Sequence, residues 1–136
     1  MRTVRHAGLG SLLLIGAIVW AVPASAIDLS GAWATDVSQC AKVFKKKGKQ
    51  VVFADPSDLF GGGFVIEDTR IRGKAARCTI KSRTEDGNTL HLLAACATDI
   101  MLSSVQFSLK VIDDNKISRL FPGMPGLETT YYRCTF

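Results

Sequence analysis

Cys78 and Cys96 stand nine residues to either side of Gly87 in the stretch RCTIKSRTEDGNTLHLLAAC, and no other feature of this 136-residue chain restricts its folding so directly. If Asp86-Gly87-Asn88 forms a three-residue hairpin loop, antiparallel pairing of the flanking arms sets Cys78 opposite Cys96. Side-chain alternation then places Cys78 on one face with Ile80, and Cys96 on one face with Leu90, Leu92 and Ala94, so both thiols point toward a core. A two-residue loop would shift the register by one and weaken that pairing. The chain has four cysteines, the others being Cys40 and Cys134. An even number in a small exported chain reads as two disulfides, Cys78–Cys96 and, by elimination, Cys40–Cys134. Neither C-x2-C pairs nor a C-x-x-C motif occurs, so zinc ligation and thioredoxin-like redox chemistry are not indicated.

Export is read from the first 26 residues. Arg2 and Arg5 precede an apolar run from Leu12 to Val22, and Ala24-Ser25-Ala26 follows it at cleavage spacing. This is the pattern of a secretory signal peptide over 1–26, cleaved after Ala26. The apolar run is short of the ~20 residues that span a bilayer, and no cysteine follows it directly, so neither a membrane anchor nor a lipoprotein is expected. Residues 27–136 then form one domain, periplasmic or secreted, with a single modest core. Without Arg2 and Arg5 the formal charge falls from +5 to +3. Nucleic-acid binding loses its compositional support, and no membrane partner is expected after cleavage.

Along 27–136 the hydrophobic period is mostly two. Leu29 to Ala34 reads as a first strand. Asp36, with Gln39 three positions on, reads as a capping box opening a short helix whose stripe is Val37, Cys40, Ala41 and Phe44 and whose stop is Gly48. Lys45-Lys46-Lys47 and Lys49 could form a patch for phosphate or anionic lipid, but at the end of that helix they are better explained by the helix dipole. Val51 to Phe53, Phe64 to Ile66 and Thr69 to Arg72 are short strands. Pro56 to Gly63 is a turn region, and its Gly61-Gly62-Gly63 run lacks the Lys-Ser/Thr pair and following helix of a phosphate loop. Val105, Phe107, Leu109 and Val111 alternate with Ser104, Gln106, Ser108 and Lys110 in the clearest half-buried strand. Asp113-Asp114-Asn115 turns it into Ile117 to Phe121, and Thr129 to Phe136 is the last strand. The fold class is all-β with one short helix: an antiparallel meander of about eight or nine strands, closed as a small barrel or, alternatively, stacked as a β-sandwich.

Leu29-Ser30-Gly31-Ala32-Trp33 resembles the Gly-x-Trp first strand of calycin-like barrels, a grouping that includes lipocalins, avidins and small bacterial metalloprotease inhibitors. The resemblance implies an eight-stranded barrel closed at one end by Trp33, with Arg133 of the last strand packed across it and Gly31 beside them. It rests on these few positions. Trp33 is the sole tryptophan after residue 26, unlike an avidin-like biotin site, and lipocalins with deep ligand cups are longer. The protease inhibitors are closer in size, but they insert an N-terminal arm, and only Ile27-Asp28 would precede the first strand. The chain also looks like other small exported, cysteine-containing bacterial proteins.

The candidate catalytic groups are sparse. His91 is the single histidine after residue 26, and its strand parity, opposite to that of Leu90 and Leu92, points it to solvent. No G-x-S-x-G elbow accompanies it. Asp55 and Asp58, or Asp113 and Asp114, could flank a substrate, but turns select Asp for conformational reasons. The expectation is therefore a non-catalytic extracytoplasmic binding module for a small ligand or a protein surface, with no cofactor and no metal, or alternatively an inhibitor of an extracytoplasmic protease.

Overall fold

A computed structural model describes residues 26–55 and 62–136, with Ile18, Trp20 and Ala21; the signal-peptide reading, most of the Pro56 to Gly63 turn and Asp58 lie outside the described residues. Ten strands are present among them: β1 (Gly31–Ala34), β2 (Phe44–Lys47), β3 (Gln50–Phe53), β4 (Gly63–Ile66), β5 (Arg70–Arg72), β6 (Arg77–Asp86), β7 (Thr89–Ala97), β8 (Leu102–Asp113), β9 (Lys116–Leu120) and β10 (Glu128–Cys134). Eight close into an antiparallel barrel in the order β1-β10-β9-β8-β7-β6-β5-β4, and β2 and β3 form a separate hairpin. The all-β class with one short helix holds, and closure selects the barrel over the sandwich.

Alternation along the strands divides the apolar residues into two layers. Trp33, Phe64, Ile71, Leu90, Leu92, Leu109, Ile117 and Tyr131 belong to one buried cluster that fills the barrel. Ala32, Ala34, Val65 and Cys134 have the opposite parity and meet Val43 and Phe44 in a second cluster. The β2–β3 hairpin and the short helical segment therefore cover the outer face of β1, β4 and β10. Gly63 makes this close approach possible: a Cβ there would lie 2.7 Å from the Trp33 carbonyl oxygen and 2.9 Å from Cζ of Phe44.

The helix differs from its sequence expectation. Asp36 does cap, accepting hydrogen bonds from the Ser38 backbone N–H at 2.8 Å and hydroxyl at 2.7 Å. It opens only a 3-10 turn, Val37–Gln39, followed by one helical turn, α1 (Cys40–Val43). Gln39 does not complete a capping box; its Oε1 is buried without a hydrogen-bond partner. Val37 is exposed, and Phe44 is extended rather than helical. The lysine run thus lies on strand β2, where Lys45 faces Val52 and Lys46 faces Val51, with Gly48-Lys49 as the turn. Burying Val43, Phe44, Val51 and Phe53 on the barrel wall outweighs the helical stripe, because tertiary burial routinely overrides a few residues of local propensity.

The central hairpin reaches its register by an unexpected route. Asp86 pairs with Thr89, so the loop is the two residues Gly87 and Asn88. That register alone would offset the cysteines by one. An irregularity between Ile80 and Ser82 inserts Lys81 as a bulge, and beyond it Ile80 faces Ala94 and Cys78 faces Cys96. A single extra residue restores the pairing that a three-residue loop would have set.

Candidate functional site

One end of the barrel is shut from within. Trp33 is fully buried, and its indole Nε1 donates to the Leu29 carbonyl at 2.8 Å. The Arg133 guanidinium carbon lies 4.3 Å from the centre of the indole ring. Arg133 Nη1 donates to the Ser30 carbonyl at 2.6 Å and its Nε to the Asp114 carbonyl at 2.9 Å. Gly31 has φ of +133°, and a Cβ there would lie 3.0 Å from Arg133 Nη1, so the backbone conformation and the guanidinium both favour glycine. The segment before β1 crosses the same end, with Leu29 buried and the Ile27 N–H donating to Glu85 at 2.9 Å. Backbone and side-chain hydrogen bonds from Ser30 hold the Asp28 carboxylate below its ordinary range, helped by Arg133.

Cys40 is bonded to Cys134 and Cys78 to Cys96, with sequence separations of 94 and 18. The first bond ties the outer layer to the last strand, and the second lies inside the barrel wall. All four cysteines are paired, so in this oxidised form none presents a thiolate. Two disulfides fit an oxidising, extracytoplasmic environment.

The other sequence candidates are scattered. His91 is half-buried rather than turned to solvent, because its cross-strand partner Ser108 places Oγ 2.9 Å from Nδ1. Ser108 is itself buried, and the pair forms a cross-strand side-chain hydrogen bond between β7 and β8. Asp55 lies 3.8 Å from Lys74 at the end of β3. Asp113 caps the β8–β9 turn through the Asn115 N–H at 2.8 Å. No group of three or more His, Cys, Asp or Glu side chains that could hold a metal occurs among the described residues.

The opposite end carries the feature that sequence reading passed over. The β7–β8 turn and the start of β8 project Ile100, Met101 and Leu102, exposed to 90%, 58% and 84%, and Met124 and Leu127 of the β9–β10 loop are also exposed. The turn is braced: the Ile100 and Met101 N–H groups donate to Thr98 Oγ1, and the Thr98 N–H donates to the Met101 carbonyl. Inside this end, Arg119 lies between the rings of Phe107 and Phe121, at 4.6 and 4.9 Å, with its Nε buried and without a hydrogen-bond partner. The signal was present in the sequence. Leu102 shares strand parity with Ser104, Gln106 and Ser108, so an apolar side chain stands on the outward phase.

These features define a filled, disulfide-stapled, eight-stranded antiparallel barrel, compatible with the calycin-like architecture. Comparison with known protein families, with curated proteins and with solved structures finds no match.

Proposed function

We propose that the chain is a non-catalytic binding module of an extracytoplasmic compartment, delivered there by the 1–26 segment, which engages an apolar surface on another protein through the end of the barrel formed by the β7–β8 and β9–β10 loops. The observation that carries this reading is the exposure of Ile100, Met101 and Leu102 together at one braced turn. Apolar side chains clustered on one exposed turn mark interaction sites far more often than apolar residues scattered singly. The packed interior, with Trp33, Leu109 and Ile117 fully buried, favours a surface partner over a small ligand held in a cup. Inhibition of an extracytoplasmic protease is a special case of the same reading, supported by the Thr98 brace, since a rigid presented loop binds with less ordering cost.

The test places a photo-crosslinking side chain at Ile100 and, separately, at Lys110 on a different face. A partner captured at Ile100 alone is purified and titrated against the native chain and against Ile100→Ser/Leu102→Ser. Loss of affinity of about tenfold or more in the double variant, with unchanged melting temperature, supports the reading. Equal capture at both positions, or undiminished affinity, refutes it; a second copy of this chain as the captured species makes the face a self-association site instead. If the captured partner is a protease, its inhibition at stoichiometric amounts decides the special case.

A further inference from the structure

We propose that the groove between β3 and the outer face of β5 and β6 binds a phosphate-type oxyanion, carried either on a small soluble molecule or on a lipid headgroup. The groove has a volume of about 690 Å³ and is lined by Gln50, Val52, Arg70, Arg72, Arg77 and Thr79. Pairing of β5 with β6 sets Arg72 directly opposite Arg77, and Arg70 opposite Thr79. Like charges directly opposite on a sheet are destabilising, and the one carboxylate that offsets them is Glu67, which pairs with Arg72 and leaves Arg77 uncompensated. Arg72 is anchored: its Nη2 donates to Glu67 at 2.9 Å and to the Val51 carbonyl at 2.9 Å, and its Nε donates to Glu67 at 3.2 Å. Arg70 and Arg77 are exposed, and among the described residues neither forms an ion pair.

The surroundings extend the same field. Lys45, Lys46, Lys47 and Lys49 are all exposed on the hairpin that forms one wall. The helix dipole that would have accounted for them is absent, because the helical turn ends at Val43. Glu67 on Arg72 and Asp55 near Lys74 are the carboxylates paired beside the groove, and Arg70, Arg77 and the exposed lysines leave a net positive potential over it. The two uncommitted guanidinium forks of Arg70 and Arg77, with the neutral donors of Gln50 and Thr79 and the anchored Arg72 between them, match a tetrahedral group with three terminal oxygens better than a carboxylate, whose two oxygens one arginine can satisfy.

The test uses the disulfide-bonded chain beginning at Ile27, titrated with inorganic pyrophosphate in moderate salt and, in a second arm, with phosphatidylcholine vesicles containing phosphatidic acid, whose phosphomonoester presents three terminal oxygens. The exposed pair is removed as Arg70→Ser/Arg77→Ser, and an equal charge is removed from another face as Lys110→Ser/Lys116→Ser. Each arginine is expected to contribute about fivefold, so the first variant weakens binding roughly 25-fold while the second changes it little. Dependence on Arg70 and Arg77 in the pyrophosphate arm identifies a soluble ligand, and the same dependence on vesicles alone identifies a headgroup. Absence of binding in both arms, or equal weakening by the two double variants at unchanged melting temperature, overturns the site.

Discussion

Arg133 lies with its guanidinium carbon 4.3 Å from the centre of the Trp33 ring, and the two residues are direct partners in the β1–β10 register. The contact joins the first barrel strand to the last, at the seam where the sheet closes. Trp33→Ala is expected to cost about 3–5 kcal/mol by removing a buried indole. Arg133→Ala should cost less, about 1–2 kcal/mol, since the guanidinium keeps a solvent-facing edge. The double variant should fall short of the sum, because both substitutions delete the same contact. Urea denaturation of the four chains measures the coupling; strict additivity would remove the cation–π contact from the account.

The two disulfides should differ in weight. In the chain-entropy view the Cys40–Cys134 bond closes a loop of 94 residues and the Cys78–Cys96 bond one of 18, corresponding to about 4–5 and about 3 kcal/mol. Paired Cys→Ser variants, Cys40 with Cys134 and Cys78 with Cys96, should therefore rank in that order in chemical denaturation. Peptide mapping without reduction should recover the same two linkages.

Acid should destabilise the domain through three carboxylates. Ser38 hydrogen bonds hold Asp36 below its ordinary range, Ser30 does so for Asp28, and Arg83 followed by the Ile27 N–H does so for Glu85. In the window between the folded and unfolded values the unfolded chain binds more protons, so stability rises with pH there. The contribution is complete above the ordinary carboxylate range and is lost as pH falls through the lowered folded values. Melting temperature should stay flat from neutral pH to about pH 5 and drop below about pH 4. Asp28→Asn/Glu85→Gln should flatten the drop; an unaltered profile would exclude these groups.

Cleavage after Ala26 would turn the Ile27 N–H, 2.9 Å from Glu85, into an α-ammonium beside a carboxylate. The exported protein is expected to begin at Ile27 by N-terminal sequencing and intact mass. Chain recovered with Met1 to Ala26 still attached in the membrane would defeat this expectation.

What was legible in the sequence followed the strength of the local pattern. The alternation around Val105 to Val111 and the turns at Asp114 and Gly87 carried the meander, because each strand buries one face of a closed wall. Cys78 and Cys96 were placed opposite one another for a reason that proved incomplete: the loop has two residues, and the bulge at Lys81 supplies the compensating shift. Nothing in Ile80-Lys81-Ser82 marks a bulge, since its cause is the distant need to keep Cys78, Ile80 and Leu90 on the inner face. The short helix stops at Val43 instead of running to Gly48, because Phe44 and Phe53, 5.1 Å apart, belong to an outer layer that only the closed barrel creates. The arginine groove was equally hidden, because Arg72 and Arg77 meet only through the β5–β6 register.

The Cys40–Cys134 bond also determines how the domain would respond to pulling. Tension applied between Ile27 and Phe136 passes from Cys40 directly to Cys134 and bypasses the 94-residue ring between them. Only the stretch holding β1 and the last two residues can be drawn out, roughly 50 Å of chain at about 3.4 Å per residue. The remaining seven strands of the wall lie outside the force path, so a tethered molecule should give one short extension when oxidised and one several times longer once that single bond is reduced, short of full length only by the 18-residue loop that Cys78–Cys96 still closes.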